Sequence, residues 1–252
     1  LDTVRKSGKA GNKMGSLDSF FNMIQKSDNI VFFGGAGVST ESGIPDFRSV
    51  DGLYHQQYAY PPEVILSHTF FMEHTGEFYR FYRSKMLPLG AKPNQAHLKL
   101  AELEQKGKCR TVITQNIDGL HQAAGSRNVL ELHGSIHRNY CMECGKKFSA
   151  EEILHCNDIP KCSCGGIIKP DVVLYEENLD QTILQRSIEY ISQADVLIVG
   201  GTSLAVYPAA GLIDYYRGNQ LILINKDPTS CDIRADLLIQ GKIGEVLGRV
   251  IL

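Results

Sequence analysis

The chain has 252 residues, and its 26 Lys+Arg against 28 Asp+Glu leave a formal charge of −2. So even a balance excludes a protein held to nucleic acid or to a membrane surface mainly by electrostatics. With 43% hydrophobic and 21% charged residues it has an ordinary globular composition, long enough to bury a core without disulfide staples.

Residues 1–15 are basic and glycine-rich, with Arg5, Lys6, Lys9 and Lys13, and lack the apolar run of an export signal. They are expected to form a disordered tail, with Met14 a candidate natural start. The one long uncharged stretch, residues 196–213, is punctuated by Gly200, Gly201, Thr202, Ser203 and Pro208. It therefore reads as strand, loop and helix start rather than a spanning helix. A cytoplasmic location without membrane association is the expectation. Seven cysteines, four of them between positions 141 and 164, favour reduced metal-binding thiolates over a disulfide framework.

Short aliphatic runs at 30–33, 111–115, 129–132, 196–199 and 221–225 have the β-branched character of fully buried parallel strands. Between them the clearest helix is 94–106, where Ala96, Leu100 and Leu103 recur at helical spacing, Pro93 precedes and Gly107 follows. Strands alternating with helices predict an α/β fold: a Rossmann-like, doubly wound parallel sheet. Its parts are expected at 16–53, 90–137 and 170–252. Two segments break the alternation, the aromatic-rich 54–89 and the cysteine-bearing 138–169. They are expected to form a smaller lobe, a helical insertion beside a zinc ribbon.

Cys141 and Cys144, then Cys162 and Cys164, are pairs separated by 17 residues, each followed by glycine. Four thiolates so spaced suit a tetrahedral zinc, structural because no position is left for water. The second pair is one residue shorter than the usual knuckle, which leaves Cys156 as an alternative ligand. Within 138–169, five basic residues against four acidic ones supply no phosphate-tracking patch, so direct nucleic-acid binding is not expected.

Directly after the first strand comes Gly34-Gly35-Ala36-Gly37-Val38-Ser39-Thr40. Glycines there let backbone amides approach a pyrophosphate. Thr40 occupies the third glycine position of the dinucleotide fingerprint, and Gly43 and Pro45 break any helix, so the loop runs on into Asp46, Phe47 and Arg48. A dehydrogenase is disfavoured on that ground. Polar groups recur at three further strand ends: Gln115, Asn116 and Asp118; His133 before Gly134; and Gly201, Thr202 and Ser203. Together they make a dinucleotide cleft with one candidate general base, His133. Asn116 and Asp118 as mere helix caps is the competing reading.

On these pieces, together with Ser42–Arg48, Leu132-His133-Gly134 and Lys169-Pro170-Asp171-Val172-Val173, the chain resembles the sirtuins, NAD-dependent protein deacylases, over about residues 17–250. The resemblance implies deacetylation of acetylated protein lysines. NAD is co-substrate, and an alkylimidate resolves to lysine, nicotinamide and O-acetyl-ADP-ribose. It makes His133 the base, with Asn116 also catalytic. Gly35, Ala36, Gly37, Thr40, Asp46, Phe47 and Arg48 fall on the cofactor loop. Gln115 is placed at the ribose, Ile117 and Asp118 at nicotinamide, and Gly201, Thr202, Ser203 and Asn225 at adenosine and its phosphate. The peptide is expected as an added strand between 173–176 and 203–206, touching Val173, Tyr175, Glu176 and Leu204. Sirtuins that prefer succinyl-lysine carry Tyr-x-x-Arg. Here Tyr79 is followed by Tyr82 at that spacing and Arg83 falls one residue late, which predicts an acetyl preference. The alternatives are mono-ADP-ribosyl transfer and longer-chain deacylation. The oligomeric state is left open, a monomer being compatible.

Overall fold

Residues 7–46 and 60–251 are described by a computed structural model, residues 7–14 through their backbone alone. The first strand, β1 (Ile30–Gly34), is buried at every position. Ile30 and Phe32 face one hydrophobic cluster and Val31 and Phe33 another, so each face of the sheet has its own core. β1 lies centrally in a six-stranded sheet with β2 (Cys109–Thr114), β3 (Val129–Glu131), β7 (Val196–Gly200), β8 (Leu221–Asn225) and β9 (Leu237–Gln240). The order is β3-β2-β1-β7-β8-β9, and every pairing is parallel. The chain winds outward from β1 through β2 to β3, then restarts at β7 on the other side. β1 and β7 therefore flank the topological switch point, where open α/β sheets bind ligands.

Helix α1 (Ser7–Lys26) enters the core through Phe20 and Ile24. The stretch expected as a disordered tail is thus helical from Ser7: once the anchored turns exist, extending the helix costs only propagation. Helices α2 (Pro62–Ile65), α3 (His68–Glu73) and α4 (Thr75–Lys85) follow. The helix expected at 94–106 is α5 (Gln95–Gln105), where the Asn94 side chain accepts from Ala96 N at 2.9 Å and Gly107 is left-handed. The one-turn α6 (Leu120–Ala123), α8 (Gln181–Gln193) and α9 (Ile243–Leu247) complete the large unit.

A second, antiparallel sheet has the order β5-β4-β6, from β4 (Gly134–Cys141), β5 (Lys147–Phe148) and β6 (Ile168–Val172), with α7 (Ala150–Leu154) beside it. It reaches past 138–169 at both ends. Its core is shared with the aromatic helices: Phe71, Phe78, Tyr79 and Tyr82 pack with Ile136, Cys141, Ile153, Cys162 and Ile168. The Tyr79 hydroxyl donates to the Ile168 carbonyl, joining α4 to β6. Among the described residues no helix is long and apolar enough to cross a membrane.

Candidate active site

At the end of β1 the chain makes two short 3-10 turns, Ala36–Val38 and Thr40–Ser42. They press directly on the turn after β7. A Cβ on Gly37 would lie 2.8 Å from Gly201 Cα, and one on Gly35 would lie 2.8 Å from Thr202 Cβ. The Gly35 and Gly37 amides donate to Gly200 O (3.3 Å) and Gly201 O (2.8 Å). These two glycines therefore let two backbones touch, and their amides are engaged by the neighbouring loop instead of facing outward for a phosphate. Gly201, at φ 60°, is required for the same contact. Thr40 is exposed, its hydroxyl donating to Gly37 O at 3.0 Å, and Asp46 closes the described part of the loop. Phe47 and Arg48 lie outside the described residues.

The end of β2 supplies the polar floor. Asn116 is buried and donates through Nδ2 to Ser39 Oγ at 3.0 Å; Ser39 Oγ donates in turn to Asp118 Oδ2 at 2.6 Å. Asp118 Oδ1 also accepts from Leu120 N at 2.9 Å, so it caps α6 as well as meeting the glycine loop. Ser39, 1% exposed, is the residue that motif reading quoted but gave no role. Its signal was its place, five residues beyond β1 in a glycine loop. Gln115 Nε2 donates to Thr202 Oγ1 at 3.1 Å, while Thr202 N donates to Asn225 Oδ1 at 3.1 Å. Asn225 Nδ2 is buried without a partner among the described residues, a donor left over for a ligand or water. Ser203 is exposed beside this chain of contacts, and Ile117 packs on the small unit's core, its carbonyl accepting from Ile136 N at 3.0 Å.

His133 stands between β3 and β4, with Nδ1 2.9 Å from the Gln115 carbonyl oxygen. A carbonyl only accepts, so Nδ1 carries the proton and Nε2 keeps a lone pair. Burial pushes the imidazole below its ordinary pKa, partly offset by the Gln115 hydrogen bond, so the ring is neutral near pH 7. The turn is held closely: Val173 N donates to His133 O at 3.0 Å, and a Cβ on Gly134 would stand 2.0 Å from Asp171 O. Arg138 braces the same turn, pairing with Glu131 and Asp171 at 2.6 Å each, a triad absent from the sequence reading because Asp171 joins it from 33 residues away. Of the expected peptide residues, Val173 and Tyr175 lie on the segment after β6, Glu176 follows, and Leu204 lies in the turn after β7.

The four cysteines converge. Their sulfurs lie within 4.8 Å of one another, Cys141 to Cys164 at 3.5 Å and Cys144 to Cys162 at 3.6 Å. Four ligands around zinc with bonds of about 2.3 Å would stand about 3.8 Å apart, so the set fits. The Cys164 amide lowers the Cys162 thiol to about 6. Cys164, although the Gly166 amide favours its thiolate, is pushed up to about 12 by three neighbouring sulfurs. A divalent cation removes that conflict. Gly145 and Gly165 take the left-handed knuckle conformation, so the short second pair closes without help from Cys156, whose sulfur donates to Asp158 O.

Polar strand ends at the switch point, a spare buried donor on Asn225 and the oriented imidazole of His133 define a nucleotide-dependent enzyme of Rossmann-like fold carrying a cysteine tetrad suited to structural zinc. The family profile described as Sir2 family matches residues 35–208. The NAD-dependent protein deacetylase of Clostridium acetobutylicum is 62% identical over 239 residues, covering 93% of this chain and 98% of that one, and its Clostridium perfringens counterpart is 57% identical with the same coverage. Among solved structures, "Sir2-p53 peptide-NAD+" and "Sir2 bound to acetylated peptide" each superpose with a TM-score of 0.83, at 42% and 40% identity, each covering 93% of this chain and 96% of that one. The chain belongs to the Sir2 family.

Proposed function

We propose that the protein removes acetyl groups from protein lysines, consuming NAD and releasing nicotinamide and O-acetyl-ADP-ribose. The observation that carries the reading is His133, neutral, held through Nδ1 and offering Nε2 at the carboxyl edge of the sheet. NAD, when bound, supplies the ADP-ribosyl group that takes the acyl oxygen and then the acetyl.

The chain's own residues divide the remaining work. His133 Nε2 withdraws a proton from a ribose hydroxyl, a task suited to an imidazole that is unprotonated near pH 7. Asn116 and Gln115 orient the ribose and its water. Asp118, already fixed by Ser39 and Leu120 N, accepts from the nicotinamide carboxamide, and Ile117 closes that pocket on its apolar side. Ala36, Thr40, Asp46, Phe47 and Arg48 cover the cofactor. Gly201, Thr202, Ser203 and Asn225 take the adenosine end. Acetylated lysine enters as a strand beside Val173, Tyr175 and Glu176 on one wall and Leu204 on the other. The chain divides into a large unit (16–53, 90–137, 170–252) and a small one (54–89, 138–169), with the ends of the small sheet at 134–137 and 170–172 joining the two beside the site. A cytoplasmic location accords with reduced, zinc-binding cysteines.

The test is mass spectrometry of an acetyl-lysine peptide incubated with and without NAD. NAD-dependent loss of acetyl, with nicotinamide and O-acetyl-ADP-ribose formed in equal amounts, is expected. A peptide that stays acetylated while label from NAD accumulates on protein would replace this reading with ADP-ribosyl transfer.

A further inference from the structure

Among the described residues, two that are not glycine have left-handed φ: Glu176 at 75° and Leu204 at 53°. They stand on the two segments that flank the acyl-peptide groove. Such conformations are strained and persist where the surroundings over-determine them, often at functional sites. On the Glu176 side those surroundings can be named. Glu176 Oε2 accepts from Thr69 N at 2.9 Å and Thr69 Oγ1 at 2.7 Å. Tyr175 N donates to Leu66 O, and Tyr175 O accepts from His68 N, both at 2.9 Å.

Behind this wall lies one carboxylate that the catalytic reading does not use. Glu177 Oε2 accepts from Lys169 Nζ at 3.0 Å and from Leu174 N at 2.9 Å, while Oε1 meets His68 Nδ1 at 2.9 Å. Lys169 is 5% exposed and spends another donor on Val172 O at 3.1 Å. A buried ammonium is tolerated only when paired, so the pair is a fixed point in the fold. Burial opposes ionisation of Glu177, but the His68 and Leu174 hydrogen bonds and the Lys169 charge outweigh it and hold the carboxyl below its usual range. One side chain thus ties β6, the turn at 172–177 and the start of α3.

We propose that Glu177, clamped between Lys169 and His68, is a positioning residue that presets the wall of the acyl-peptide groove and so governs affinity for peptide, not for NAD. The inference rests on the deacetylase reading. An added strand binds through main-chain hydrogen bonds, so its affinity depends on the receiving backbone being held in register beforehand. Glu177 does not reach the reacting atoms; it acts through residues 173–176.

The experiment is steady-state kinetics of Glu177→Gln with acetyl-lysine peptide and NAD varied separately, alongside wild type, with NAD affinity measured by calorimetry. A rise of about tenfold in peptide KM, with kcat, NAD KM and NAD affinity unchanged, is expected, the signature of lost uniform binding. If Lys169 left without its counter-charge prevents folding, His68→Ala removes one arm of the clamp at a half-exposed position and should raise peptide KM about threefold. Folded variants with wild-type peptide KM, or with peptide and NAD KM raised together, overturn the inference. Failure of the deacetylase reading would instead show as a wild-type protein that leaves the peptide acetylated.

Discussion

The character of His133 comes from one hydrogen bond and from burial. The Gln115 carbonyl settles which nitrogen carries the proton, and desolvation keeps the ring neutral. His133→Ala should lower kcat by about 10²–10⁴, the ordinary range for a positioned base, while leaving the fold and NAD binding in place. Near-wild-type turnover of that variant would sink the assignment. The sign of the pH dependence follows from the same burial. A base works unprotonated, so turnover falls on acidification; because its pKa is depressed, the acid limb of kcat should lie below the ordinary imidazole value of about 6.5. A kcat profile falling above that value would require another titrating group. Asp118 serves two local contacts at once: Oδ1 accepts from Leu120 N at the start of α6 and Oδ2 accepts from Ser39 Oγ.

At the scale of elements, the decisive contact is between the turns after β1 and β7. Gly37→Ala would drive a methyl to 2.8 Å from Gly201 Cα, where backbone and not a flexible side chain must yield. A loss of about 1–3 kcal/mol is expected, with weakened NAD binding because the cleft floor moves. Gly43→Ala is the control: its φ of 82° carries strain, but nothing lies within 4 Å, so it should cost about 1–2 kcal/mol and spare NAD affinity. Denaturant midpoints and calorimetry separate the two. The Tyr-x-x-Arg comparison places acyl choice on helix α4. Tyr82 is fully buried, and Arg83 donates to Asp158 O at 2.9 Å and stacks 5.6 Å over Tyr79. No arginine of α4 at the Tyr-x-x-Arg spacing is available for an acyl carboxylate, so kcat/KM should favour acetyl- over succinyl-peptide by at least about tenfold, a missing charge-assisted contact being worth that or more. The central strands β1, β7 and β8 were legible because burial on both faces leaves an unbroken aliphatic run, and α5 because its cap and terminal glycine are local. β9, with Leu238 exposed, and the small sheet's strands were not, since they are short or half-exposed and carry no unbroken aliphatic run. The Arg138 triad and the Glu177 clamp were hidden because each is completed by a distant residue, Asp171 in one and His68 in the other.

The molecule joins a unit that holds itself together to one that depends on a metal. The six-stranded sheet has a hydrophobic cluster on each face, whereas the small unit has one cluster that includes Cys141 and Cys162 themselves. Withdrawing the metal leaves four close sulfurs whose charges oppose one another, two of them, Cys141 and Cys162, in the core that also holds α4 in place. Chelation should therefore unfold the small unit first: amides of β4 and β6 should lose exchange protection while those of β1, β7 and β8 keep it. Activity should fall in step with the small unit, though no cysteine touches the reaction. The coupling runs through the junction, because Val173 N holds His133 O and Ile136 N holds Ile117 O. When β4 and β6 loosen, His133, the proposed base, and Ile117 lose their fixed backbone together. Restored zinc should recover protection and turnover in parallel; a chelated protein with full protection and full turnover would show that the ribbon stands without its metal.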